Sequence, residues 1–200
     1  GFSIVTYTGN GSTGTVGHGL GIAADFYIVK ERTDTSHWYI YSKALGATKT
    51  FRLNEDFAAA TDDIWQDTAP SSTVFYLSQD TATNQSSQTY ITYAFSEVAG
   101  YSKFGSYEAT NSSDGPFVFL GFEPKWIMIK PIDDSGNWQI YDNKRTPINK
   151  NDGNALYADL SSAEASGFTM FDFLSNGFKL RNTGAGGINY TNTYIYLAFA

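Results

Sequence analysis

Two hundred residues, 42% of them hydrophobic, can bury a sizeable core, so a disordered chain is excluded. A net charge of −7, with thirteen scattered basic residues, argues against a nucleic-acid partner, which needs clustered Lys and Arg. The absence of cysteine removes disulfides and thiolate metal sites, and no apolar run is long enough for a helix to cross a bilayer, so no membrane insertion is expected.

The apolar content is unusual in kind. Fourteen Tyr, fifteen Phe and four Trp stand against two Met, and nineteen Gly accompany many Ser, Thr, Asn and Asp. Aromatic and β-branched residues suit pleated, half-buried surfaces, and the small polar residues suit turns. This is an all-β composition. The chain opens on Gly1 with no basic-then-apolar leader, and is expected to be part of a longer polypeptide or a processed product.

In chain order, Ile4 to Thr8 alternates like a strand and runs into the glycine turn GNGSTG. The stretch Asp25 to Tyr41 (DFYIVKERTDTSHWYIY) reads as a β-hairpin: an aromatic, β-branched strand, a polar loop, and a returning strand led by Trp38. After the middle stretch KTFRL (49–53) come DFAAATDDIW (56–65), a short helical or irregular segment, Phe75-Tyr76-Leu77, a strand, and TYITYAF (89–95), the closing strand.

One hundred positions on, the hairpin recurs without a gap as KWIMIKPIDDSGNWQIY, identical at five of seventeen positions. The closing strand recurs as TYIYLAF (193–199), identical at five of seven. NALYA (154–158) matches KTFRL after an inserted loop, SSAEAS matches the irregular segment, and Phe178-Lys179-Leu180 matches the 75–77 strand. The openings GFSIVTYTGNG and GYSKFGSYEATN align with one extra residue before Tyr107, and EATN in place of TGNG predicts a different first turn. Six to eight short strands per copy predict two tandem, abutting β-sandwich or barrel-like units of about 100 residues, 1–99 and 100–200. The Trp38/Ile40 side of its strand is the expected core side, because the second copy carries Gln139 on the other.

Together, the GFS-x-x-x-Y-T-G-N-G opening, the K-x₇-W hairpin and the TY-I-x-x-AF close resemble a β-rich repeat of uncharacterised function. That repeat occurs in virion proteins of tailed, often marine, bacteriophages. The resemblance covers the whole chain, twice, and brings no catalytic residues. It implies a fibre, spike or decoration on the particle surface, hence a virion location, other virion proteins as partners and a homo-oligomer.

The residues themselves point to no catalytic, metal or cofactor site. His18 and His37, without cysteine partners, make a poor zinc site and read as loop histidines. No G-x-S-x-G elbow is present, so a serine-based triad has no local mark. Asp56, Asp62, Asp63, Asp67, Glu97, Asp133, Asp134, Glu164 and Asp172 are carboxylates a glycosidase would need in pairs, but most sit in turn-like segments. The DDSGN (133–137) and NDGN (151–154) loops lack the spacing of a calcium loop and read as hairpin turns. Host-surface glycan remains a candidate partner, with Tyr39, Tyr41, Trp65 and Tyr190 as candidate ligand-binding aromatics. The expected function is thus a non-enzymatic virion appendage or decoration. A lectin-like module is the alternative, and a glycoside hydrolase or a surface filament subunit are further ones.

Overall fold

The computed structural model describes residues 1–145, 153–168, 170–184 and 187–200. The chain is all-β, apart from one four-residue helix among the described residues. It divides into two compact units, Gly1–Glu97 and Val98–Ala200.

The first unit contains β1 (Phe2–Thr8), β2 (Gly14–Gly17), β3 (Phe26–Glu31), β4 (Trp38–Ser42), β5 (Lys49–Arg52), β6 (Ala60–Thr61), β7 (Val74–Leu77), the helix α1 (Thr81–Asn84) and β8 (Thr89–Phe95). Six strands form an antiparallel sheet in the order β1-β8-β3-β4-β5-β6, and β2 pairs with β7 in a second, smaller sheet.

The second unit repeats this plan with β9 (Ser102–Glu108), β10 (Phe117–Phe119), β11 (Trp126–Pro131), β12 (Gln139–Asp142), β13 (Gly153–Tyr157), β14 (Ala165–Phe168), β15 (Phe171–Leu174), β16 (Gly177–Leu180) and β17 (Thr193–Phe199). Its large sheet runs β14-β13-β12-β11-β17-β9, the same order read from the other edge, and its small sheet is β10-β16-β15. The added strand is β15, a hairpin partner of β16. Each unit buries one aromatic-rich core between its two sheets, so the sandwich alternative holds.

Three expectations need correction. The inward face of β4 is the Tyr39/Tyr41 face, which joins Tyr27, Val29, Trp65, Phe75 and Tyr90 in the core. Ile40 and Trp138 are fully buried too, but on the opposite face of their sheets and outside the core clusters. With both faces apolar, hydrophobic alternation carries no information about which side faces inward. Gln139 misled for a related reason: it points inward, buried, and its side-chain oxygen accepts from the Tyr141 hydroxyl.

The extra residue placed before Tyr107 is absent from the strand register. Phe2 faces Phe95, and Ser102 faces Phe199, so β1 and β9 align at a constant offset. The segment 56–65 is irregular, as one of its two expected forms has it, apart from the two-residue edge strand β6, and its counterpart leads into β14.

The first turns, expected to differ, match. Gly11 and Asn111 occupy the same place with φ of 68° and 52°, and asparagine tolerates this left-handed conformation best after glycine. The inserted loop after Arg145 and the 151–152 part of the NDGN turn lie outside the described residues.

Candidate functional site

One repeated device sets the end of each sandwich from which the loops project. In the first unit Tyr7 stacks on Tyr90 with centroids 5.0 Å apart, and its hydroxyl donates to the Thr83 carbonyl at 2.6 Å. In the second, Tyr107 stacks on Tyr194 at 5.2 Å and donates to the Ile188 carbonyl at 2.7 Å.

Beside each pair lies a buried asparagine. The Asn84 Oδ1 accepts from the Asn10 N–H at 3.0 Å, and its Nδ2 donates to the Ser12 and Ser78 carbonyls at 2.6 and 2.8 Å. The Asn189 Oδ1 accepts from the Thr110 N–H at 3.1 Å, and its Nδ2 donates to the Ser112 and Asn182 carbonyls at 2.8 and 2.5 Å. These amides complete the hydrogen bonding of backbone that leaves the ladders at the first turn.

On this shared frame the two units carry different surfaces. In the second unit a cleft of about 290 Å³ opens between the β11–β12 loop, β12, β13 and the segment leading into β17. Its polar lining is Asp134, Ser135, Asn137, Gln139 and Asn192, and its aromatic lining is Tyr157, Tyr190 and Tyr194. Glycines shape it. A Cβ at Gly187, where φ is +82°, would stand 3.1 Å from the Gln139 amide nitrogen, and one at Gly136 would stand 2.8 Å from the Pro131 ring. Gly184, at φ +79°, lets the Tyr190 ring lie against its backbone, where a Cβ would stand 2.7 Å from the ring. Tyr194 is buried beneath the rim, and that burial pushes its hydroxyl up to about 12.

In the first unit the counterparts of Asn137, Gln139, Tyr157 and Tyr190 are His37, Tyr39, Arg52 and Gln85, as the strand registers and turn hydrogen bonds show. Three of these side chains are tied to one another. The Arg52 guanidinium lies 5.5 Å from the Tyr39 ring centroid and bonds the Glu55 carboxylate at 2.9 Å, and Glu55 also pairs with His37 at 3.2 Å. Next to this cluster is a smaller cleft of about 180 Å³, lined by Thr50, Phe51, Arg52, Glu55, Phe57 and Asp62 among others. Burial, and then the neighbouring Asp80, raises the Asp62 carboxyl above the ordinary carboxylate range.

Of the four aromatics singled out in the sequence, Tyr41 and Trp65 are fully buried core residues and Tyr39 is 8% exposed beneath Arg52. They are not the exposed rings that a sugar-binding surface would use, because the Tyr face of β4 is the inward one. Tyr190, 51% exposed, is the one of the four on a cleft.

The cleft residues Asp134, Asn137, Gln139, Tyr157 and Asn192 were not singled out as ligand-binding. The available signal was the contrast between the copies: they differ in residue type at Asn137, Gln139, Tyr157 and Tyr190 while the hairpin around them is held. The two histidines behave as loop residues. The Leu20 N–H donates to the His18 Nδ1 at 3.2 Å, so its Nε2 carries the proton and donates to the Ser71 carbonyl at 3.1 Å. Asp134 accepts from the following Ser135 N–H at 2.8 Å, a turn geometry. No group of three or more His, Asp or Glu among the described residues could hold a metal ion.

The family model described as a domain of unknown function (DUF7483) matches residues 1–200. No curated protein and no solved structure matches the chain.

Proposed function

The chain belongs to the DUF7483 family, and we propose that it is a non-enzymatic structural module on the surface of a tailed-phage particle. In this reading it forms an exposed appendage or decoration and contributes to attachment at the host surface. The observation that supports it is the division of labour between the copies. The Tyr7/Tyr90 stack recurs as Tyr107/Tyr194, and the Asn84 clip of the first turn recurs as Asn189. The polar chemistry at equivalent rim positions does not recur. A scaffold that keeps its frame and varies its rim suits a display role, and the resemblance of the opening and closing motifs to phage virion repeats supplies the setting. Partners are then other virion proteins, further copies of the chain and host-surface glycan.

Immunogold electron microscopy of purified particles tests the location. Labelling of a fibre, spike or capsid surface is expected, and particles free of the chain sink the reading.

A glycoside hydrolase is the second reading, favoured by Glu55 and Asp62 lining one cleft of the first unit. Both Glu55 oxygens are already engaged, by His37 and by Arg52, and a cleft of about 180 Å³ leaves little room for a saccharide chain spanning two carboxylates. Release of reducing ends from host polysaccharide, abolished by Asp62→Asn, would establish it.

A further inference from the structure

We propose that the cleft of the second unit binds one neutral hexose ring, with Tyr190 as the stacking platform. This names the ligand of the attachment role proposed above and rests on that reading.

The ring of Tyr190 is presented and also held. It lies against the Gly184 backbone, and the Tyr190 N–H donates to the Tyr194 hydroxyl at 3.2 Å, so an exposed aromatic surface is fixed before any ligand arrives. A sugar's C–H face is apolar and its rim is hydroxyl. An aromatic platform ringed by groups that both donate and accept hydrogen bonds matches that pattern. Asn137 and Asn192 are such groups, and Asp134 adds acceptors at the open edge.

Charge and size narrow the class. Among the described residues no Lys, Arg or His lines the cleft, which disfavours sialic acids, uronates and phosphorylated sugars, all of which call for a cation. A volume of about 290 Å³ sits at the lower end of ligand pockets, enough for a single ring. Among the described residues one carboxylate lines the cleft, and glycosidic hydrolysis takes two, so binding is the role its lining suits. The first unit carries no equivalent, because Arg52 covers Tyr39 and an exposed Gln85 stands where Tyr190 does. One site per chain is expected.

The test is saturation-transfer difference NMR on the full chain. The probes are the methyl glycosides of glucose, galactose, mannose and N-acetylglucosamine, with methyl sialoside as the charged comparison. Saturable transfer is expected to at least one neutral glycoside, about tenfold weaker binding in Tyr190→Ala, and no change in Gln85→Ala. Should Tyr190→Ala fail to fold, ligand-induced shifts of the wild-type Tyr190 ring resonances report the same contact. Absence of transfer from every neutral glycoside overturns the proposal, as does unaltered binding in a folded Tyr190→Ala or a preference for methyl sialoside. Failure here is separable from failure of the attachment role. A chain found on particles that binds no glycoside loses the site alone, and a chain that binds glycoside but is absent from particles loses the role alone.

Discussion

Replacing Asn189 by alanine tests the frame most directly. The side chain is fully buried and makes three hydrogen bonds, to the Thr110 N–H and to the Ser112 and Asn182 carbonyls. Each such bond contributes about 1 kcal/mol net, and an orphaned buried partner costs about 1–3 kcal/mol. Some of the freed groups near the first turn can reach water, so a loss of about 3–4 kcal/mol is expected, against about 5–15 kcal/mol for a whole domain. With a urea slope of about 1–3 kcal/mol/M, the midpoint for the second unit falls by roughly 1–4 M.

Asn84→Ala, which removes the matching contacts to Asn10, Ser12 and Ser78, is expected to cost the same within about 1 kcal/mol, in the first unit. Asn189→Asp keeps the acceptor for Thr110 but sets a carboxylate against two carbonyl oxygens, so it should be no milder than alanine. Urea unfolding followed by circular dichroism gives the magnitudes, and hydrogen exchange read by mass spectrometry shows which unit opens. A loss below about 1 kcal/mol in either alanine variant would refute the view that these amides hold the turns.

Three further outcomes follow from the same packing. Tyr107→Phe and Tyr7→Phe each remove one hydroxyl donor, to the Ile188 and Thr83 carbonyls, and should lower stability by about 1 kcal/mol in thermal melts. Trp65→Ala should cost about 3–5 kcal/mol through the cavity it leaves, whereas Trp65→Phe should cost well under that, because a phenyl ring refills most of the buried indole's volume. Alkaline pH should unfold the chain cooperatively. Burial pushes Tyr41 and Tyr194 up to about 12 from an ordinary value of 10.0, and pushes Tyr27, Tyr107 and Tyr141 well above it. Between those values the folded chain holds more protons than the unfolded one. Stability is therefore full below pH 10 and falls as pH rises toward 12 and beyond. Tyrosinate absorbance from these rings should rise together with the loss of the circular dichroism signal; ionisation with the signal intact would contradict it.

The fold was legible because repetition and alternation both leave marks in sequence. The ungapped hairpin repeat located β3 and β4 and then β11 and β12, and the repeated closing motif located β8 and β17. What was not legible follows from physics that single-strand patterns do not carry. Inward and outward faces of β4 are both apolar, so Trp38-x-Ile40 and Tyr39-x-Tyr41 compete on equal terms. The shared GFS/GYS opening suggested a shifted register, but the ladder is set by Tyr7–Tyr90 and Tyr107–Tyr194 stacking, which involves residues about 80 positions apart. The four-residue helix rests on the Asp80 side chain accepting from the Ala82 N–H, a local cap with no periodic pattern behind it. The cleft was invisible for the reason that Tyr190 alone was visible. Its other walls come from β11–β12, β12 and β13, brought together by pairing rather than by spacing.

The contrast between copies explains why a cleft stands in one unit and a knitted cluster in the other. At one register position the first unit has Tyr39 facing Arg52 and the second has Gln139 facing Tyr157. In the first, the aromatic ring lies on the inner strand and the cation covers it, and Glu55 and His37 then complete a charge-balanced surface. In the second, the ring moves to the neighbouring strand and an amide takes the inner place, held against Gly187 where a larger residue would collide. Exchanging the order of aromatic and polar side chains across one strand pair therefore turns a covered ring into the wall of an opening. Neither change touches the tyrosine stack or the asparagine clip, so the second unit could acquire a cleft without altering the frame it shares with the first. Positions that pair across β4–β5 and β12–β13 are thus where the two copies differ in polar chemistry while the tyrosine stack and the asparagine clip are kept.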